Sequence, residues 1–301
     1  MYNRIMVPLD GSELAEVTLW YAARLTGRLK AALTLVYVSP QDELASPHMH
    51  ECYLKDVVAR VKKDADKAAK ETGGKNITVD FKMLRGDPAE EIVDYADKAK
   101  IDLIILSTQG KSGIKRWPLG NVANKVVGAT RKQVLLIRAK GAKTDVYKGS
   151  LKKVLVPVDG SKQSESILRY ITHLAKALDL DITLQHVWVQ GVPTYFTREG
   201  IKRGEKEKKQ AKNYILRLES RMKSKGVRTE VVFGDTMQGS EAEEIIKLAE
   251  EGKYSMVAMA THGWSAVERW IFGSTTNKVL NEGSTPLLLA RPIKSRKKAS
   301  S

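Results

Sequence analysis

Val7-Pro8-Leu9-Asp10-Gly11-Ser12 recurs 149 residues later as Val156-Pro157-Val158-Asp159-Gly160-Ser161. An apolar run ending in proline, aspartate and glycine reads as a strand that enters a tight turn. Working outward, Leu33-Thr34-Leu35 and Val38 recur as Ile182-Thr183-Leu184 and Val187, and Gly86-Asp87 recurs as Gly234-Asp235. From Ala89-Glu90-Glu91-Ile92 onward the offset becomes 153, with Ala242-Glu243-Glu244-Ile245 as the match, so a short insertion falls at about 236–240. Thr108, Gly110, Trp117 and Gly120 then reappear as Thr261, Gly263, Trp270 and Gly273. The period is domain-sized, so this is a tandem duplication rather than a solenoid. The expected organisation is a first domain over 1–140, a linker over 141–152, a second domain over 153–292 and a basic, disordered tail over 293–301.

Within each repeat, short β-branched runs alternate with longer amphipathic stretches. Residues 4–9, 32–38, 77–84, 103–107 and 134–138 read as five strands. Ile104-Ile105-Leu106 and Val134-Leu135-Leu136-Ile137 are continuously apolar, as strands covered on both faces are. Leu14, Val17, Thr18, Tyr21, Leu25 and Leu29 keep helical spacing between the first two strands, and Ser12 and Ser161 are placed to cap the first helix of each repeat. Alternating strand and helix implies parallel strands joined by crossovers, hence an open doubly wound α/β sheet in each half. The apolar closing strands, 134–138 and 287–291, would be exposed edges in separate domains, so the two repeats are expected to pair through them.

Composition bounds the rest. The chain has 301 residues, 42% hydrophobic and 29% charged, which suits globular domains rather than disorder. No apolar run approaches the roughly 20 residues of a membrane-spanning helix. The first residues, Met1 to Pro8, read as a strand rather than as a secretion signal. Cys52 is the only cysteine, which excludes an internal disulfide and a four-cysteine zinc site and fits a reducing cytoplasm. Lys and Arg number 51 against 35 Asp and Glu, giving +16. The excess divides as +7 through Lys148 and +9 beyond it, counted from the same sequence. A basic, solvated surface explains this; weak, salt-sensitive nucleic-acid contact is the alternative.

In doubly wound sheets ligands bind beyond the carboxyl ends of the strands, where strand order reverses. The loops after the first and fourth strands are therefore the ones to read. After the fourth strand the second repeat has Ala260-Thr261-His262-Gly263, nine residues, then Gly273-Ser274-Thr275-Thr276. A glycine before a helix start offers free backbone N–H groups to phosphate oxygens, and the Ser274 and Thr276 hydroxyls can add bonds. At the end of the first strand, Asp159 can accept hydrogen bonds from a ribose or an adenine amino group; an Asx-turn or helix-capping aspartate is the alternative.

Three other patterns are set aside. Gly110-Lys111-Ser112 imitates the end of a P-loop, but the required first glycine is Ile105, inside a strand. His48, His50 and Cys52 have no counterparts in the second repeat and read as a helix-entry loop with a half-buried cysteine. Trp117 and Trp270, beside Arg116 and Arg269, suit a core or an interface. No catalytic residue and no metal ligand is assigned, and no general base for water stands out in either loop.

Together the Val-Pro-x-Asp strand end, His186-Val187 (Tyr37-Val38 in the first repeat), the Gly-2x-Gly-9x-Gly-Ser/Thr pattern and the closing Pro286-Leu287-Leu288-Leu289-Ala290-Arg291 resemble the universal stress protein family across both repeats. The resemblance implies two tandem Rossmann-like open doubly wound domains, each with a five-stranded parallel sheet and a site for ATP or AMP, with Mg accompanying ATP. It further implies that Asp10 and Asp159 contact adenine or ribose, that the backbone at Val38 and Val187 contacts the adenine edge, and that the motif glycines and the hydroxyl after them hold phosphates. The candidate set is Pro157, Asp159, Val187, Ala260, His262, Gly263, Gly273, Ser274, Thr275 and Thr276 in the second domain. In the first it is Pro8, Asp10, Val38, Ser107, Gly110, Gly120 and Asn121. Ala260 and Ser107 replace the first motif glycine, Asn121 replaces the hydroxyl, and Gln109 stands where the second repeat has His262. The second site is thus expected to be the better one. The function expected is that of an adenine-nucleotide-binding stress sensor or regulator. The alternatives are a slow ATPase or self-phosphorylating enzyme, or a nucleotide-free basic scaffold. The expected partners are the nucleotide and the two domains as an intramolecular pseudo-dimer, with homo-oligomers left open.

Overall fold

The computed structural model describes residues 2–41, 47–74, 76–108, 119–138, 151–189, 197–236, 241–261 and 273–291. The first half runs β1 (Arg4–Leu9), α1 (Glu13–Leu29), β2 (Ala32–Ser39), α2 (Pro47–Lys70), β3 (Val79–Arg85), α3 (Pro88–Lys98), β4 (Leu103–Ser107), α4 (Asn121–Ala129) and β5 (Gln133–Ile137). The second runs β6 (Lys153–Pro157), α5 (Lys162–Glu165), α6 (Ile167–Leu178), β7 (Asp181–Val189), α7 (Arg198–Lys223), β8 (Thr229–Thr236), α8 (Glu241–Glu251), β9 (Met256–Ala260), α9 (Ser274–Glu282) and β10 (Leu287–Ala290).

Local chemistry sets the element ends. The Ser12 and Ser161 hydroxyls accept from Ala15 N and Ser164 N, satisfying backbone donors that the first turns of α1 and α5 leave free. Lys30 and Asp179, equivalent positions, end α1 and α6 in the left-handed region, with φ of 54° and 57°. β3 begins at Val79 rather than at Ile77, whose N–H is taken instead by the Asp66 carboxylate at 2.9 Å.

The strand order is β3-β2-β1-β4-β5-β10-β9-β6-β7-β8, one continuous sheet. Each half is parallel throughout, as expected of a doubly wound domain. The halves meet where β5 pairs antiparallel with β10, Leu135 opposite Leu288. Those two residues are equivalent in the repeat, so a pseudo-twofold axis passes between them. The expected pairing through the closing strands is therefore what the fold contains. Both apolar edges are consumed, and main-chain donors that would face solvent bond across the junction.

The core follows the sheet. One face carries Ile5, Val7, Leu135, Val154 and Leu288 under α1, α2, α6 and α7. The opposite face carries Met6, Ile104, Val134, Leu287 and Leu289 under α3, α4, α8 and α9. Each cluster crosses the junction, so the domains share their cores. Arg138 leaves β5 and donates to the carbonyls of Leu280 and Asn281 at the end of α9, while Arg291 donates to Gly128 O at the end of α4, at 3.1 Å. Each domain thus places a cation on the negative end of the other domain's last helix.

Candidate functional site

β6 is apolar through Val154, Leu155 and Val156, which bury it, and ends at Pro157. It pairs with β9 only at Val154–Met256 and Leu155–Val257. Beyond those pairs the strands run on to their carboxyl ends without bonding, because β6 turns away to β7 and β9 to β10. This reversal of strand order opens a cleft that is continuous with solvent.

Asp159 sits at its mouth. Gly160, at φ +90°, makes the turn that side chains rarely allow. The Asp159 Oδ1 accepts from Ser161 N at 2.8 Å and from Ser164 Oγ at 2.6 Å. Burial works against the charged carboxylate, but these hydrogen bonds outweigh it and hold the carboxyl below the ordinary range. Both of these bonds use Oδ1, as the turn reading of Asp159 expects. Behind it, the buried His186 donates Nδ1–H to Val158 O at 2.7 Å, and Val158 N donates to Gln185 O, tying the turn to β7.

The cleft brings together six of the sequence-predicted residues: Pro157, Asp159, Val187, Ala260, Thr275 and Thr276. Thr275 Oγ1 donates to Glu241 at 3.1 Å, and Thr276 is buried against the inner wall. Gly273 caps α9 with φ −55°, an ordinary value, so no backbone requirement explains a glycine there. Ser274 is exposed at the start of α9 and does not line the cleft. His262 and Gly263 lie outside the described residues. Gln163, Ser164, Gln185, Glu241, Ile245 and Met259 also line the cleft and were missed by sequence reading. Only Gln185 carried a signal, as a polar residue where the first repeat has Val36. The described lining holds two carboxylates, Asp159 and Glu241, and neither lysine nor arginine.

The first domain repeats the frame. Pro8 lies one residue before the end of β1 at Leu9, Gly11 turns at φ +78°, and Asp10 Oδ1 accepts from Ser12 N at 3.0 Å and Ser12 Oγ at 2.6 Å. Val38 and Ser107 lie at the carboxyl ends of β2 and β4. Gly120 caps α4 with φ −60° and donates its N–H to Thr108 O at 2.6 Å, and Asn121 opens the helix. Gly110, Lys111, Trp117 and Trp270 lie outside the described residues. Cys52 is not in a loop before α2 but on that helix, exposed, its Sγ 3.7 Å from His48 Nε2 one turn away. His50 instead turns to Tyr37, with 3.1 Å between Nε2 and the phenol oxygen.

Comparison with known proteins agrees with this geometry. The universal stress protein family model matches twice, over residues 1–138 and 150–291. A universal stress protein of Methanocaldococcus jannaschii is 33% identical over 144 residues, covering 46% of this chain and 83% of its own. One of Synechocystis sp. is 24% identical over 316 residues, covering 96% and 100%. In fold, the crystal structure of a universal stress protein from Archaeoglobus fulgidus superposes with a TM-score of 0.66 at 19% identity, over 97% of this chain and all of that one. The duplicated strand ends, the paired closing strands and the two family matches converge: this chain belongs to the universal stress protein family, with two family domains in tandem.

Proposed function

We propose that the second domain binds an adenine nucleotide, ATP or AMP, and that the protein acts as a sensor or regulator through that binding. The observation that supports this most is the cleft at the strand-order reversal, which gathers Asp159, Val187, Ala260 and Thr276 around one volume. Its described wall is rich in acceptors, which suits the N–H and O–H donors of a nucleoside. Two carboxylates, with no lysine or arginine in the described lining, disfavour a bare triphosphate, so ATP enters with Mg and AMP without it. The phosphates lie toward the start of α9, where free backbone N–H groups face the ligand. Cys52, exposed and the only cysteine, suits the reducing cytoplasm.

Mass spectrometry of small molecules released on denaturing the purified protein tests the reading, followed by calorimetric titration with ATP and AMP. ATP or AMP at the second site, lost in Asp159→Ala, is the expected result; no binding of either by the intact chain refutes it. The second site is expected to be the tighter. It keeps Thr276 in the cleft wall where the first has Ala123, and one neutral hydrogen bond at about 0.5–1.5 kcal/mol separates the sites by roughly two- to tenfold. Titrating Asp10→Ala and Asp159→Ala separately reads the order. Loss of the tighter site in Asp10→Ala alone reverses it.

A further inference from the structure

Gln185 is 2% exposed, lies on β7 between the strand end and the core, and lines the cleft. Its Nε2 donates to Glu244 O in α8 at 3.4 Å. This contact orients the carboxamide, because the flipped arrangement would set oxygen against oxygen. The Oε1 atom is buried, and no donor among the described residues reaches it. Unpaired buried acceptors are rare and unfavourable, since the group has lost water without gaining a partner. Around it the wall is apolar: Ile245 is 3% and Met259 7% exposed. The cleft therefore ends in one oriented acceptor set in a greasy wall.

The first domain supplies an internal comparison. The residue equivalent to Gln185 is Val36, fully buried, beside Ile92 and Leu106 at the places of Ile245 and Met259. A strand at this place is satisfied by an apolar side chain, so the fold does not require glutamine. Its presence in one domain alone points to a ligand.

We propose that Gln185 determines base specificity in the second site: its Oε1 accepts a hydrogen bond from the 6-amino group of adenine and disfavours 6-oxo purines. This rests on the adenine-nucleotide reading above. A purine entering between Pro157 and Val187 brings its ring edge toward the inner wall. An amino group there pairs with Oε1. A carbonyl there meets a second acceptor, which leaves both buried and unpaired. Discrimination by a site built to hydrogen-bond one group is stronger than discrimination by an apolar pocket, so the effect appears in the ratio of affinities more than in either alone.

The test uses AMP and IMP, which carry an amino donor and a carbonyl acceptor at position 6, titrated calorimetrically into the full chain carrying Asp10→Ala so that only the second site reports. Gln185→Leu keeps the volume nearly constant, and Gln185→Val installs the residue that the first domain already accommodates. With Gln185 in place, AMP is expected to bind at least roughly tenfold more tightly than IMP. In both variants AMP weakens about five- to tenfold while IMP holds or improves, so the ratio collapses toward one. Melting temperature without nucleotide is expected to hold or rise in the variants, which separates loss of specificity from loss of fold. An unchanged AMP-to-IMP ratio in the variants, or equal binding of the two by the protein with Gln185, overturns the role of Gln185 and leaves adenine-nucleotide binding standing. Binding of neither AMP nor ATP by the unaltered chain overturns both.

Discussion

Asp159 Oδ1 accepts from Ser161 N and Ser164 Oγ in its own turn, and these bonds, outweighing burial, decide how the carboxyl responds to pH. Its folded-state value lies below the roughly 3.9 of an unfolded aspartate, so the ionised form stabilises the fold. The sign follows: the contribution is fully present above the unfolded value and is lost as pH falls through it toward the folded value. Asp159→Asn should therefore melt below the unaltered protein at pH 6–8, and the gap should close between pH 4 and pH 2. A gap that stayed constant over that range would show that the charge contributes nothing. Gly273 makes a different case. Its φ of −55° is open to any residue, so Gly273→Val should fold with a melting temperature within a few degrees of the original. The branched side chain at the start of α9 should nevertheless weaken nucleotide binding at least tenfold, read by calorimetry. Unchanged affinity would remove the phosphate role from this helix start. The sequence showed both residues as candidates, but it did not show how Asp159 ties its own turn together, because that rests on where the Ser161 N–H and the Ser164 hydroxyl come to lie.

Among elements, α2 and α7 show how far two copies have drifted. Glu16, Tyr53 and Arg60 interact across α1 and α2, the tyrosine donating to Glu16 at 2.9 Å and Arg60 lying 3.3 Å away. Glu165 and Arg221 repeat this at 2.7 Å across α5 and α7, with Tyr214 beside them, raised in pKa first by burial and then by Glu165. Aligned on these groups, α2 continues ten residues past Arg60, to Lys70, whereas α7 continues two past Arg221, to Lys223. At its other end α7 begins ten residues earlier, so it reaches roughly 15 Å further toward the carboxyl ends of the strands. The shortened end leaves a crevice of about 220 Å³ lined by Lys176, Asp179, Lys225 and Arg228. In the first domain the longer α2 closes this place, and the equivalent of Lys176 is Gly27, where a Cβ would lie 2.3 Å from Ala65 O. Gly27→Ala should therefore destabilise the protein by about 2–3 kcal/mol despite the better helix propensity of alanine, measured by urea unfolding. A neutral or stabilising result would mean that α1 and α2 separate easily. None of this drift was visible in the aligned motifs, because it lies between them.

For the whole molecule, the junction at β5 and β10 carries much of the architecture. The Leu135–Leu288 pairing extends one sheet through both domains, and the two arginines bind reciprocally across it. Arg138→Ala and Arg291→Ala should each cost about 1–2 kcal/mol in urea unfolding, since each removes a cation from a helix carboxyl end and leaves carbonyls with fewer donors. The double variant should lose roughly twice that if the sites act independently. Stability unchanged in both single variants would assign the junction to the leucines and the strand ladder alone. The outer edges, β3 and β8, carry Asp80, Lys82 and Arg85, and Glu230 and Asp235, charges that oppose further edge-to-edge pairing. Among the described residues no helix is long and apolar enough to cross a membrane.

By itself the sequence determined the duplication, the alternation of strand and helix, the parallel doubly wound class and the strand ends that border the cleft. Each of these is written in short periodicities or in motifs a few residues long, and Val7–Ser12 against Val156–Ser161 was enough to begin. It also pointed to the closing strands as partners, since two apolar edges of identical pattern demand cover. Tertiary structure alone decided that those strands run antiparallel in the Leu135–Leu288 register, that Arg138 and Arg291 exchange partners, and that α7, aligned with α2 on Arg221 and Arg60, starts ten residues earlier and ends eight earlier. It alone turned Gln185 from an odd polar residue in a strand into an oriented acceptor at the end of a cleft. The physical reason is common to all four: each depends on groups brought together from far apart in the chain, Arg138 with Leu280 or Gln185 with Glu244, and their relative placement is set by packing rather than by any local pattern.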